Sequence, residues 1–189
     1  VKAFVGSAFL INHQGKTYGV TAKHVLLETM NQGVETVSIE GLVDQWHIRP
    51  FNEKTGVVKL GQLINANSQE KLDMAVLQDD WLLFEVLDNE SALKPLKLAD
   101  TALMKGDQVD VFGCNYQNQT TCQQAHYSGV YQQATATNLL VKLDLEDLTQ
   151  LRGLSGAPVL NSKQEVVGIV SNVIPDEENG GVFFAPFKI

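Results

Sequence analysis

An all-β fold, either an antiparallel barrel or a sandwich, is what the hydrophobic pattern of this chain predicts. Three observations carry that expectation. Short apolar and β-branched runs recur along the sequence, turn-forming residues separate them at fairly regular spacing, and long helical periodicity is scarce. Phe9-Leu10-Ile11 leads into the polar stretch Asn12-His13-Gln14-Gly15-Lys16, and the chain returns as Thr17 to Ala22, the pattern of a hairpin. Further strand candidates are Val34 to Ile39, Gly56 to Ile64, Met74 to Leu77, Gln108 to Gly113, Ser128 to Gln132, Leu139 to Leu143, Ala157 to Leu160, Val166 to Ser171 and Val182 to Ala185. A short helical stretch is expected after His24, and a turn or two around Asp144 to Leu151. Between Gln78 and Asp100 the pattern loosens, with Asp79, Asp80, Glu85, Asp88 and Glu90 scattered among apolar residues. That segment reads as the connection between two β lobes, residues 1–90 and 91–189.

The 189 residues, 44% hydrophobic and 19% charged, suffice for one large domain or two small lobes with a substantial core. Fourteen Lys and Arg against 22 Asp and Glu leave a formal net charge of −8, and no basic cluster offers a footprint for phosphate backbones. Nucleic acid is therefore not an expected partner. No run of apolar residues is long enough to span a membrane as a helix. The first residues, Val1-Lys2-Ala3-Phe4-Val5, lack both an initiator methionine and the layout of a secretion signal, so the sequence reads as a processed or trimmed product.

Cys114 and Cys122 are the only cysteines. A metal site needs three or four ligands, and His126 is the one nearby histidine, so neither zinc nor any other cofactor is expected. A disulfide across this turn would suit an oxidising compartment and two free thiols the cytoplasm; the spacing leaves both open. Asn118-Gln119-Thr120 matches a glycosylation sequon, a triplet common by chance.

The chemistry-bearing residues lie elsewhere. Gly153-Leu154-Ser155-Gly156-Ala157-Pro158 stands just ahead of the apolar run Val166-Val167-Gly168-Ile169-Val170. A serine hydroxyl becomes a nucleophile only when a base takes its proton and N–H donors hold the developing oxyanion. Flanking glycines let the backbone turn those donors inward. His24 directly follows the strand Thr17 to Ala22, where an imidazole can be held rigidly at a cleft. Asp73 heads the apolar run Met74-Ala75-Val76-Leu77, a place from which a carboxylate could fix the histidine tautomer.

Together with Gly6-Ser7-Ala8-Phe9-Leu10-Ile11, Thr21-Ala22-Lys23-His24 and Gly168-Ile169-Val170-Ser171, these motifs resemble the trypsin-like (chymotrypsin-fold) serine peptidases, particularly bacterial members. They occur in that family's order and span nearly the whole chain. The resemblance implies two antiparallel β-barrels packed side by side, with the active site at their interface. It implies a triad of His24, Asp73 and Ser155, an oxyanion hole from the N–H groups of Gly153 and Ser155, and a protein or peptide as substrate. Substrate-binding residues carried over from the family are Thr149, Ser171, Asn172, Val173 and Gly181, with Ser171 also bonding the triad acid. Thr149 stands where an acid would select Lys or Arg, so a small or apolar residue before the scissile bond is expected. A periplasmic or secreted setting is favoured over the cytoplasm.

The chain departs from the family at Leu154, which replaces the acid that pairs with a newly cleaved N-terminus, so activation by N-terminal insertion is not expected. Lys23 replaces a small residue, and Ala8 and Ala157 replace glycines, tolerable only where φ is negative. The alternative reading is a catalytically silent peptidase-like domain that binds peptides or a protein partner. An esterase elbow, Gly-x-Ser-x-Gly, is not matched because Ala157 fills its last position.

Overall fold

The computed structural model describes residues 6–27, 46–50, 56–67, 69, 79–118, 120–121, 123–145 and 147–189. Two β sheets account for its regular structure. The first contains β1 (Ala8–His13), β2 (Lys16–Thr21), β3 (Trp46–Ile48), β4 (Val58–Leu63), β5 (Leu82–Asn89) and β6 (Leu96–Lys97), in the spatial order β3-β4-β5-β2-β1-β6. Every pairing in it is antiparallel except β1 with β6. The second is a closed barrel of β7 (Gln108–Gly113), β8 (Ala125–Ala134), β9 (Leu139–Leu143), β10 (Pro158–Asn161), β11 (Val166–Pro175) and β12 (Val182–Lys188). The fold is all-β and chymotrypsin-like.

The β1–β2 hairpin closes because Gln14 and Gly15 both adopt positive φ, 51° and 79°, which lets the two strands meet again at His13 and Lys16. The remaining expected strands that fall on described residues are present, several of them longer than their apolar runs. Val34 to Ile39 and Met74 to Leu77 lie outside the described residues. The stretch expected to connect the lobes instead contains β5, which pairs with β2 on one side and β4 on the other. Its acids are compatible with a strand because Leu82 and Phe84 point inward while Glu85 and Asp88 are exposed.

Hydrophobic burial joins the sheets as firmly as it fills them. One core lies within the first sheet around Leu10, Val58, Leu82 and Phe84, and another fills the barrel around Val109, Val111, Val141 and Val159. A third is shared: Phe9, Ile11, Val20, Ala22 and Val25 pack against Leu160, Val166, Ile169 and Phe187 of the barrel strands. Each large side chain buried there contributes roughly 1.5–3 kcal/mol, enough in sum to hold the halves in one register. No helix among the described residues is long and apolar enough to cross a membrane.

Candidate active site

The register of β2 and β5 builds the first half of the site. Thr21 pairs with Leu82, so two positions beyond that pair the chain before β5 runs alongside the turn after β2. That turn is a short 3₁₀ segment, Lys23–Leu26, and its amino end has no side-chain cap from Ala22. Asp80 fills the need. Its Oδ1 accepts the backbone N–H of His24 at 2.8 Å and its Oδ2 lies 2.7 Å from His24 Nδ1. One carboxylate thus locks both the backbone and the ring. Because a carboxylate only accepts, the imidazole proton is held on Nδ1 and the Nε2 lone pair is left as the base. Ser171 Oγ, on β11, donates to the same Oδ2 and ties the pair to the barrel. Asp80 and its partner histidine are largely withdrawn from solvent, with side-chain exposures of 7% and 17%.

The carboxylate seen on His24 is not the one named from the sequence. Asp73 lies outside the described residues, and the bonds to His24 expected of it are made by Asp80, seven positions later. A signal for it was present: Asp80-Trp81-Leu82-Leu83-Phe84 is a second instance of a carboxylate followed by an apolar run.

The Ser155 loop is seated against the same turn. Ser155 O accepts from Ser7 N at 2.7 Å, and Ser7 O accepts from Thr21 Oγ1 at 2.7 Å. Gly156, at φ 87°, presses so closely that an added Cβ would sit 2.2 Å from Ser7 O and 2.9 Å from the backbone nitrogen of Ala22, two residues before His24. Only glycine fits there. Gly6 is constrained from the other side, its missing Cβ lying 3.0 Å from Ser155 O. The Ser155 hydroxyl makes no hydrogen bond among the described residues.

The N–H groups along this loop divide into two sets. Those of Leu154, Gly156 and Ala157 donate to Leu151 O, Val170 O and Leu154 O, at 3.0, 2.9 and 2.7 Å. Those of Gly153 and Ser155 have no acceptor among the described residues. Leu154 is fully buried in the barrel core beside Val109, Val111 and Ala157, so packing takes the place of an ion pair at this position. Lys23 is buried as well, at 2% exposure. Ala8 and Ala157 are not among the residues of positive φ, so their methyl groups cause no backbone strain.

The other expected site residues flank this arrangement. Thr149 lies in the 3₁₀ turn Leu148–Leu151, its N–H and Oγ1 bonded to Asp147. The Asp147 carboxyl is held below its usual range, first by the Thr149 hydroxyl and then by the Thr149 N–H. Asn172 and Val173 continue β11 past Ser171, and Gly181 ends the loop before β12, accepting Asp176 N–H at 3.1 Å. Val173 and Val182 are both 44% exposed; Val173 pairs with Phe184 and Pro175 with Val182, so the two valines are diagonal neighbours on one face. Cys114 is a buried free thiol, while Cys122 lies outside the described residues.

Residues 6–169 match the sequence profile of the trypsin-like peptidase domain, and the chain belongs to that family. Among solved structures it is similar to one described as Glu endopeptidase in complex with MPD, with a TM-score of 0.60, 15% identity, and coverage of 98% of this chain and 86% of that one. At that identity the likeness concerns the fold. No match is found among curated protein sequences.

Proposed function

We propose that this protein is a serine endopeptidase in which Ser155 attacks the scissile carbonyl, His24 Nε2 takes its proton and returns it to the leaving amine, and Asp80 orients His24. The observation that carries the reading is the pair of hydrogen bonds that His24 makes to Asp80, through its backbone N–H and Nδ1, which leaves Nε2 available as a base, with the Ser155 loop packed against the turn just before His24. A positioned base of this kind contributes about 10²–10⁴-fold. The N–H groups of Gly153 and Ser155, the two in their loop without an acceptor among the described residues, serve as the oxyanion hole.

Protein or peptide is the substrate, bound against Thr149, Ser171, Asn172, Val173 and Gly181. A small or apolar residue before the scissile bond is preferred. The exposed Val173 and Val182 on adjoining strands support this, as does a neutral Thr149.

Reaction with a serine-directed fluorophosphonate, followed by mass mapping of the adduct, tests the proposal. Labelling at Ser155 that is lost in Ser155→Ala and His24→Ala is expected. Folded wild-type protein that takes no label at Ser155 would overturn it in favour of a silent, peptide-binding domain.

A further inference from the structure

The Arg152–Gly153 peptide is the part of the loop most in need of support, because a half-turn of that one unit would replace its N–H with a carbonyl oxygen. Leu154 cannot anchor it through charge. What holds it is the segment that follows β7. Tyr116 N–H donates to Arg152 O at 2.9 Å. No peptide bond among the described residues is cis, and in a trans peptide the C=O and N–H point in opposite directions, so the Gly153 N–H is aimed away from Tyr116. The Tyr116 ring packs against the Gly153 backbone: a Cβ on Gly153 would lie 2.8 Å from Tyr116 Cδ1 and 3.0 Å from Tyr116 N. Gly153 itself has φ 96°, which a side chain would resist.

Asn115 fixes Tyr116 from beneath. It is 3% exposed; its Nδ2 donates to Tyr127 OH at 2.9 Å and to Gln150 O at 3.1 Å, and its Oδ1 accepts Asn118 N–H at 3.0 Å. Tyr127 OH in turn donates to Gln150 O at 3.3 Å. The buried amide therefore clamps the 3₁₀ turn Tyr116–Asn118 to the segment that leads into Gly153. On the other side of Gly153, Ser7 Oγ donates to Gly153 O at 3.1 Å. Both peptide units that flank the Gly153 Cα are pinned by their carbonyls.

We infer that Asn115 and Tyr116 are positioning residues for the reaction proposed above, holding the Gly153 N–H toward the oxyanion without touching substrate. The inference rests on that reading. It assigns to a buried asparagine and a backbone donor the task that an acid at position 154 would otherwise perform.

Tyr116 opens its 3₁₀ turn, a position where proline is tolerated, so Tyr116→Pro removes the donor with little cost to the turn. Tyr116→Ala removes only the ring, and Asn115→Asp removes the amide donor with the shape kept. In Tyr116→Pro, kcat is expected to fall about 10²-fold with KM nearly unchanged, the loss typical of one missing oxyanion donor. Affinity for a peptide aldehyde, which places an oxyanion in the hole, should fall by a similar factor, whereas affinity for the cleaved product peptide should not. Asn115→Asp should give the same pattern at smaller amplitude, with Tyr116→Ala smaller still. The pH profile of kcat/KM should keep its wild-type shape.

If Tyr116→Pro does not fold, Asn115→Asp decides alone by the same aldehyde-to-product comparison. Variants within about threefold of wild type in kcat and aldehyde affinity would overturn the assignment while the peptidase reading stands. Equal losses for aldehyde and product would overturn it too, since they mark general disruption. Absence of Ser155 labelling in the wild type would instead defeat the peptidase reading first.

Discussion

Beside the turn after β2, Asp80 meets His24 through Nδ1 and accepts from Ser171; on the barrel wall, Asp110 meets His126 through Nε2 at 2.8 Å and accepts from Ser128 at 2.6 Å. The residue types are the same and the arrangements are not. Asp80 binds the ring nitrogen nearer the backbone and the backbone N–H of His24 as well, so the far nitrogen keeps its lone pair. Asp110 takes the far nitrogen, and Ser128 Oγ lies 3.2 Å from that same nitrogen, whose hydrogen is directed to the carboxylate. The Ser128 proton goes to Asp110 rather than to a base. His126 is stacked on Phe112, with ring centroids 4.4 Å apart and planes 6° from parallel. In the reaction proposed above the first cluster accepts a proton, while the second braces strands β7 and β8.

The contrast fails most visibly if the wrong aspartate is removed. Asp80→Asn keeps the shape but lets His24 adopt the other tautomer, and kcat for peptide cleavage should fall about 10⁴-fold. Asp73→Asn, measured beside it, should leave kcat within a few-fold of wild type. The reverse ranking would return the role to Asp73. Ser171→Ala deletes one bond to a charged acceptor and should lower kcat by about tenfold, read from the same assay.

Those substitutions also mark where the sequence was legible. The Ser155 loop could be read because its glycines are dictated by contacts no other residue survives, at Gly156 above all. The histidine could be read because a strand end presents it. The carboxylate bonded to His24 could not, because the signature of a carboxylate heading an apolar run occurs at both Asp73 and Asp80, and the pairing of Thr21 with Leu82 that brings Asp80 beside the histidine leaves no local mark. β5 was obscured by the acids at its exposed positions Glu85 and Asp88, which break up the apolar run and read as a polar connection. Asn115 and Tyr116 carry no local signal, since their partners Tyr127, Gln150 and Arg152 are distant in sequence.

Removing the second carboxylate should cost stability and spare activity. Burial pushes the Asp110 carboxyl up, but hydrogen bonds from Ser128, His126 and Gln108 together outweigh burial and hold it below the usual carboxylate range. A folded-state pKa lowered in this way contributes stability above the unfolded value, near 3.9 for aspartate, and loses it as pH falls through the folded value. Asp110→Ala should therefore destabilise by about 1–3 kcal/mol at pH 6, with the difference from wild type shrinking below about pH 4. Thermal melts across that range read it directly. A kcat loss comparable to that of Asp80→Asn would erase the distinction between the clusters.

The smallest effect is expected at the second serine, and it discriminates because it is small. Ser128 Oγ donates to Asp110 from a partly exposed position on β8, directly across from Asp110 in the β7–β8 ladder. With Ser128→Ala, Asp110 keeps its bonds from His126 and Gln108, and water can reach the partly exposed position vacated on β8. The stability loss should stay below about 1.5 kcal/mol, the net worth of one ordinary hydrogen bond. Fluorophosphonate labelling of Ser155 should proceed at the wild-type rate, with no adduct at Ser128 in either protein. An adduct at Ser128 would mean that His126 can present a lone pair to this serine, through a ring flip that exchanges its two nitrogens. The stacking on Phe112 would then be too weak to hold the ring, and the nitrogen bonded to the carboxylate would no longer separate a bracing cluster from a catalytic one.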